Sequence, residues 1–546
     1  MKKFLLFIFI LCFVISSNIS ARYVVGYYYL WSRSSYPYTA VEYKNLTHII
    51  HAFIAPTNTG ELSVESSFLY PELIQRAHEN GVKVLVGLGG FGNSDGFSPM
   101  VADTNYRKKF ISNLVAFCKK NGYDGADIDW EYPKTADNAN LVKLISEMRT
   151  AFDAAGIQYI SAALPSTDWQ SGFNITALRD KMDWFGIMTY DFTGPWEAAA
   201  YFNSPLYSSS QQSGSIDNSV KYFTGKGMPK NKLLIGTPFY GYNLKAKAPY
   251  AAHTKNEGVS IIYPASLQKI AEGWEYHWDE TTKVPYLQDK AHTQFISFDD
   301  TNSVKYKSDY VVRNGLQGTI IWELRQDYNG TAQPLLRTIG SYMLNPPTAA
   351  PASPAPELPE NGKNLDTTSV SFKWKTVYPA VWYNFQMSYD SLFTTLLANR
   401  TQVTFGNITI NGLTKGKKYF WRVAASNSAG SSQWSEPKSF VITDKTVAVR
   451  PPNPEVTVPE EFRLENYPNP FNPITRIRYT MPAEGNVTLQ VFDIIGKKIR
   501  TLIDNEPKSA GVHEVEFDGS GLTSGIYFYQ LHAGSTILTR KMVLNK

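Results

Sequence analysis

Residues 124–133 read DGADIDWEYP. Asp127, Asp129 and Glu131 alternate there with Ala126, Ile128 and Trp130, the period-two pattern of a strand, so three carboxyls share one face and three apolar side chains share the other. A solvated face would explain the acids if the strand lay at a surface. The apolar runs that precede and follow it instead imply a buried strand, where unpaired charge is very costly. Like charge and burial then raise at least one carboxyl pKa, leaving a group protonated and able to donate to a leaving oxygen. Glu131 is the candidate, being nearest the carboxyl end of the strand and having the longest side chain.

Over residues 22–345 the runs YVVGYYYLW, THIIHAFI, KVLVGLGG, YDGADIDWEY, YISAALP, WFGIMTYD, KLLIGTPFYG and GTIIWEL alternate with amphipathic stretches. Eight such runs predict an α/β fold, a closed (β/α)8 TIM barrel whose active site lies at the carboxyl ends of the strands. A gap at about 242–298 is too long for a barrel connection and predicts a small α+β insertion walling one side of a cleft. Two all-β sandwich domains are expected to follow. In residues 363–444, Val370, Phe372 and Trp374, then Tyr419, Trp421 and Val423, alternate with polar neighbours. In residues 463–546, ITRIRYTM, NVTLQVFDI and GIYFYQL repeat the pattern. Residues 346–362, rich in Pro and Ala, and 445–462 read as linkers.

The amino terminus has two lysines, an apolar run from Phe4 to Ile15 and small polar residues to Ala21, the pattern of a signal peptide over residues 1–21. Its run is shorter than the roughly 20 residues of a spanning helix, and no later segment is apolar enough to cross a membrane. The chain has 53 Lys and Arg against 48 Asp and Glu, interspersed, which argues against a nucleic-acid partner. Of its two cysteines, Cys12 falls in the signal, so Cys118 has no partner for an intrachain disulfide. The spacing of Phe110, Leu114, Phe117 and Cys118 places that thiol on the buried side of a helix.

DGADIDWEYP closely resembles the signature of glycoside hydrolase family 18, the chitinases, in which Asp-x-x-Asp-x-Asp-x-Glu ends the fourth strand of a TIM barrel. VVGYYYLW, GLGG, MTYDFTGPWE, GTPFYG, ISFDD and IIWE extend the resemblance in the family's order. It implies retaining, substrate-assisted hydrolysis of β-1,4-linked N-acetylglucosamine, with no cofactor or metal, acting on chitin or chito-oligosaccharides. Carried over by position, Glu131 is acid and then base, Asp129 orients the acetamide, Asp127 shares a proton with Asp129, and Tyr190 binds the acetamide carbonyl. Asp191 would bind the distorted sugar, Met188 would line the pocket, and Trp322 would floor it. Tyr27, Phe53, Gly90, Phe91, Trp130, Trp196 and Tyr240 complete the expected cleft, although core packing is the competing reading for Trp130, as for Trp184. Asp124, on the other strand face, reads as structural. Three departures stand out. Gly87 replaces a common Ser, leaving Tyr27 to support Asp127 alone; Phe91 replaces the usual Trp; Tyr242 stands where Arg is common.

Residues 363–444 resemble a fibronectin type III domain, Leu413 and Tyr419 fitting its tyrosine corner, with Trp382 and Trp434 as candidates for a polysaccharide contact. NYPNPFNPITRIRYTMP, VTLQVFDIIGKKIRTL, GLTSGIYFYQL and TRKMVLNK resemble the carboxyl-terminal sorting domain of type IX secretion. Together these imply a monomeric chitinase, secreted or held at the outer surface, with the secretion machinery as partner. The rival readings are an endo-β-N-acetylglucosaminidase or peptidoglycan hydrolase on the same barrel, or a non-catalytic chitin lectin.

Overall fold

The eight apolar runs form eight parallel strands: β1 (Tyr23–Tyr29), β2 (His48–Pro56), β3 (Lys83–Gly89), β4 (Gly125–Asp129), β5 (Tyr159–Leu164), β6 (Trp184–Ile187), β7 (Leu233–Pro238) and β8 (Gly318–Trp322). Each pairs with the next. β1 also pairs with β8, Tyr23 opposite Gly318, so the sheet closes into a barrel. Closure buries both faces of every strand, one against helices and one inside, which is why these runs carry few polar residues. The computed structural model describes residues 22–444, 461–494 and 496–545. The signal peptide expected at 1–21 and most of the linker expected at 445–462 lie outside them. Among the described residues no helix is long and apolar enough to cross a membrane.

The lower barrel interior is filled by Val25, Leu85, Trp184, Leu234 and Ile320, with Tyr23, His48 and Tyr159 packed on the Trp184 ring. Asp124, just before β4, accepts the Val84 N–H at 2.8 Å and meets Lys83 Nζ at 3.0 Å and His78 Nε2 at 2.7 Å, tying β3 to β4 at their amino ends. Cys118 is buried on the helix Thr104–Asn121.

Between β7 and β8 lies a five-stranded antiparallel sheet of Gly258–Ile262, Tyr240–Leu244, Phe295–Ser297, Val284–Gln288 and Glu275–Asp279, with the helix Tyr263–Ala271 beside it. The barrel is followed by a two-sheet sandwich. Its core holds Phe372, Trp374, Phe385 and Trp421, and the Tyr419 hydroxyl accepts the Thr414 N–H at 2.7 Å and donates to the Thr414 carbonyl at 3.1 Å, closing the tyrosine corner. Residues 346–362 are not linker throughout: Pro356–Leu358 is a strand paired with Val370–Trp374. Proline, lacking an N–H, is tolerated at the first residue of an edge strand, so a spacer-like composition also suits this one. Residues 445–546 form a separate unit, whose sandwich joins the sheet Arg463–Tyr467, Ile474–Met481 and Gly511–Asp518 to a four-stranded sheet ending in Thr536–Leu544.

Candidate active site

β4 carries Asp127 and Asp129 into the barrel, and Glu131 follows two residues later at its mouth. Asp127 is fully buried and doubly held: the Tyr27 hydroxyl of β1 donates to Oδ2 at 2.8 Å, and the Ser161 hydroxyl of β5 donates to Oδ1 at 2.6 Å. Tyr27 therefore does not support Asp127 alone, and Ser161 is a site residue that the sequence reading missed. It lies directly opposite Asp127 in the β4–β5 register, a pairing that no motif in the sequence marks. Gly87 cannot serve because a side chain there would meet the Phe53 ring at 2.9 Å; at Gly90, whose φ is +85°, it would meet the same ring at 2.7 Å. These two glycines make the room in which Phe53 stacks on Trp322, ring centres 5.9 Å apart.

Asp129 is buried beside Asp127, and its Oδ1 has no hydrogen-bond partner among the described residues. Glu131 is seated through its backbone N–H, which donates to Ser94 Oγ at 3.0 Å, while Ser94 donates to the Gly90 carbonyl at 3.2 Å. Ser94 is a second support that carried no motif. Burial raises all three carboxyl pKa values. For Asp127 the Ser161 and Tyr27 hydrogen bonds oppose the rise, which reaches about 6. Asp129 is pushed well above the carboxylate range by burial, then by the charges of Glu131 and Asp127. Glu131 is raised by burial and by Asp191, against a hydrogen bond from Tyr132. The three therefore cannot all ionise near neutral pH, and the site retains a proton.

A raised carboxyl pKa stabilises the fold below the unfolded value and loses that stabilisation as pH rises through the folded value. Asp127→Asn keeps the shape without the charge. It is expected to leave stability unchanged near pH 4 and to increase it by about 3 kcal/mol at pH 8, read from thermal melts at both pH values.

Across the mouth, Asp191 takes two phenols on one oxygen, Tyr240 at 2.6 Å and Tyr242 at 2.9 Å, and its N–H donates to Asn203 Oδ1 at 2.9 Å. Tyr242, one of the departures from the family pattern, thus serves Asp191 as a neutral donor. Two hollows share Phe91, which is 92% exposed, in their walls. One, of about 910 Å³, is lined by Tyr29, Trp31, Phe53 and Trp322; the other, of about 870 Å³, by Glu131, Tyr132, Trp169, Met188, Tyr190, Asp191, Trp196 and Tyr242. Trp31 and Trp169, both exposed aromatics, were not anticipated.

Of the expected cleft residues, Phe53, Phe91, Met188, Asp191, Trp196 and Trp322 line these hollows, and Tyr190 joins them. Tyr27, Gly90 and Tyr240 stand behind the surface and hold others in place. Trp130 does not belong to the cleft. It is 3% exposed and stacks on Phe97 at 4.9 Å, because its strand parity turns it away from the carboxyls and under the helices.

Comparison with known proteins finds three families along the chain. A family model described as Glycosyl hydrolases family 18 matches residues 23–327, a Fibronectin type III domain matches 354–441, and a Secretion system C-terminal sorting domain matches 465–545. Chitinase A1 of Niallia circulans is 30% identical over 395 residues, covering 64% of this chain and 55% of its own length. Chitotriosidase-1 of Mus musculus is 33% identical over 358 residues, covering 58% and 75%. Among solved structures, catalytic domain 2 of the Ostrinia furnacalis Group II chitinase is 28% identical, covers 60% of this chain and 98% of that one, and superposes with a TM-score of 0.56. The chain thus spans about half the length of the first of these relatives.

Proposed function

The chain belongs to glycosyl hydrolases family 18, and from that premise we propose that it is an exported chitinase that cleaves β-1,4 bonds between N-acetylglucosamine units with retention. The observation that carries this reading is the inward row Asp127, Asp129 and Glu131, the two aspartates buried and Glu131 half-buried at the mouth, where it shares one hollow with Tyr190 and Asp191. Glu131 starts protonated and gives its proton to the glycosidic oxygen as that bond breaks. The substrate's acetamido oxygen attacks the anomeric carbon from the opposite face, forming a cyclic oxazolinium. Asp129, its proton passed to Asp127, accepts the acetamide N–H on its unpartnered Oδ1 and offsets the positive charge, while Tyr190 donates to the acetamide oxygen. Glu131, now a carboxylate, takes a proton from the water that opens the ring.

Asp127 acts through Asp129, its own ionisation set by Tyr27 and Ser161. Trp322, propped by Tyr27, Tyr29 and Phe53, offers a flat apolar face for the sugar at the cleavage point. A non-catalytic lectin on this barrel would need no proton donor at Glu131. The sorting domain supports release to, or retention on, the outer cell surface through type IX secretion.

Because Glu131 must be protonated for the first step, kcat/KM is expected to fall as pH rises through its elevated pKa. Burial is the larger cause of that elevation and the Asp191 charge the smaller. Asp191→Asn is therefore expected to move the alkaline limb toward lower pH. Profiles of kcat/KM against pH on chitotetraose test this; a limb that stays in place or moves upward would contradict the coupling.

A further inference from the structure

The sandwich of residues 354–441 is not a free module beside the barrel. Its strand Leu396–Val403 and the residues just after it grip the turn at 279–283 between two strands of the insertion. Lys283, only 4% exposed, donates to the Gln402 carbonyl at 2.7 Å and to Glu280 Oε2 at 2.5 Å. Thr404 donates to Glu280 through its N–H at 3.2 Å and its hydroxyl at 3.0 Å, and meets the Tyr306 hydroxyl at 3.1 Å. Phe405 packs on Trp278, ring centres 5.9 Å apart. A buried lysine is costly unless its donors are met, and here a carbonyl of the sandwich meets one of them. Further along the seam, Val381 is wholly buried within the barrel's own core cluster, and the Arg313 guanidinium lies 4.9 Å over the Trp382 ring. Trp382 is thereby occupied by the barrel. Trp434 is stacked by Arg422 at 4.7 Å.

The gripped turn leads to the cleft. Thr282 accepts the Leu206 N–H at 2.9 Å; three residues earlier, Asn203 holds the Asp191 N–H and donates to the Tyr240 carbonyl at 3.2 Å. From the turn, Val284–Gln288 pairs with Phe295–Ser297, which pairs with Tyr240–Leu244, the strand bearing both phenols on Asp191. Two short paths therefore run from the sandwich to one cleft carboxylate.

We propose that the fibronectin type III domain braces the catalytic cleft: its 402–405 segment fixes the 279–283 turn, which positions Asn203, Tyr240 and Tyr242 around Asp191. Gln402 and Thr404 are then positioning residues. The proposal rests on the chitinase reading only for its activity arm, since docking is measurable without substrate.

The test uses the full mature chain. Val381→Asp places a charge in the seam and Thr404→Val removes the hydroxyl while keeping its shape; Thr404→Ser restores the hydroxyl. Small-angle scattering reads docking, and kcat/KM on chitotetraose with its pH profile reads the cleft. Val381→Asp is expected to extend the particle, lower kcat/KM roughly tenfold and shift the alkaline limb to lower pH as Asp191 moves from Glu131. Thr404→Val should move both cleft readouts the same way by less, with Thr404→Ser matching wild type. An extended chain with both cleft readouts unchanged overturns the brace, as does a Val381→Asp chain that stays closed or a Thr404→Val chain indistinguishable from wild type. An inactive wild type with a closed seam would instead overturn the chitinase reading.

Discussion

Glu131→Gln is expected to lower kcat on chitotetraose by about 10³–10⁴, some 4–5.5 kcal/mol of transition-state stabilisation, while chito-oligosaccharide binding stays within a few-fold of wild type. The amide fits the same space and keeps the backbone seat on Ser94, but has no proton to give. A poor leaving group, the sugar alkoxide, makes that proton decisive. Steady-state rates together with calorimetric binding check both halves. Full turnover in the variant would remove Glu131 from the chemistry, whereas lost binding would mean that the substitution disturbed the cleft rather than the acid.

Asp129→Asn should cost about 10²–10³ in kcat with little change in KM. The partial separation of kcat from KM follows from where the charge is needed: the acetamide becomes cationic only as the ring closes, so the carboxylate acts on the transition state more than on the bound substrate. Asn retains a carbonyl for the acetamide N–H but not the charge. A rise in KM at constant kcat would instead make Asp129 a binding residue.

The barrel was legible because parallel strands buried on both faces write themselves as continuous apolar runs. The acidic strand stood out because charge at every second position inside such a run needs a cause. Parity alone marked Asp124 as structural, without naming the tie to Val84 and Lys83, and it also sufficed to place Trp130 in the core, against its inclusion in the cleft. Ser161 was not seen because one small hydroxyl in YISAAL has no spacing signal; only its register opposite Asp127 gives it meaning. Tyr242 was visible as a departure, but its partner Asp191 is 51 positions away, joined through a fold the motif does not describe. The seam was likewise hidden: alternation marks one face of a strand as outer, without saying that Arg313 of the barrel covers the Trp382 ring.

The account turns on double displacement, with the substrate's acetamide attacking the anomeric carbon before any water does. Early-time proton NMR of chitotetraose digested by the wild-type chain reads this directly, before mutarotation mixes the products. The expected first product carries the β-anomer at its new reducing end; an α-anomer would mean single displacement by water and would contradict the mechanism.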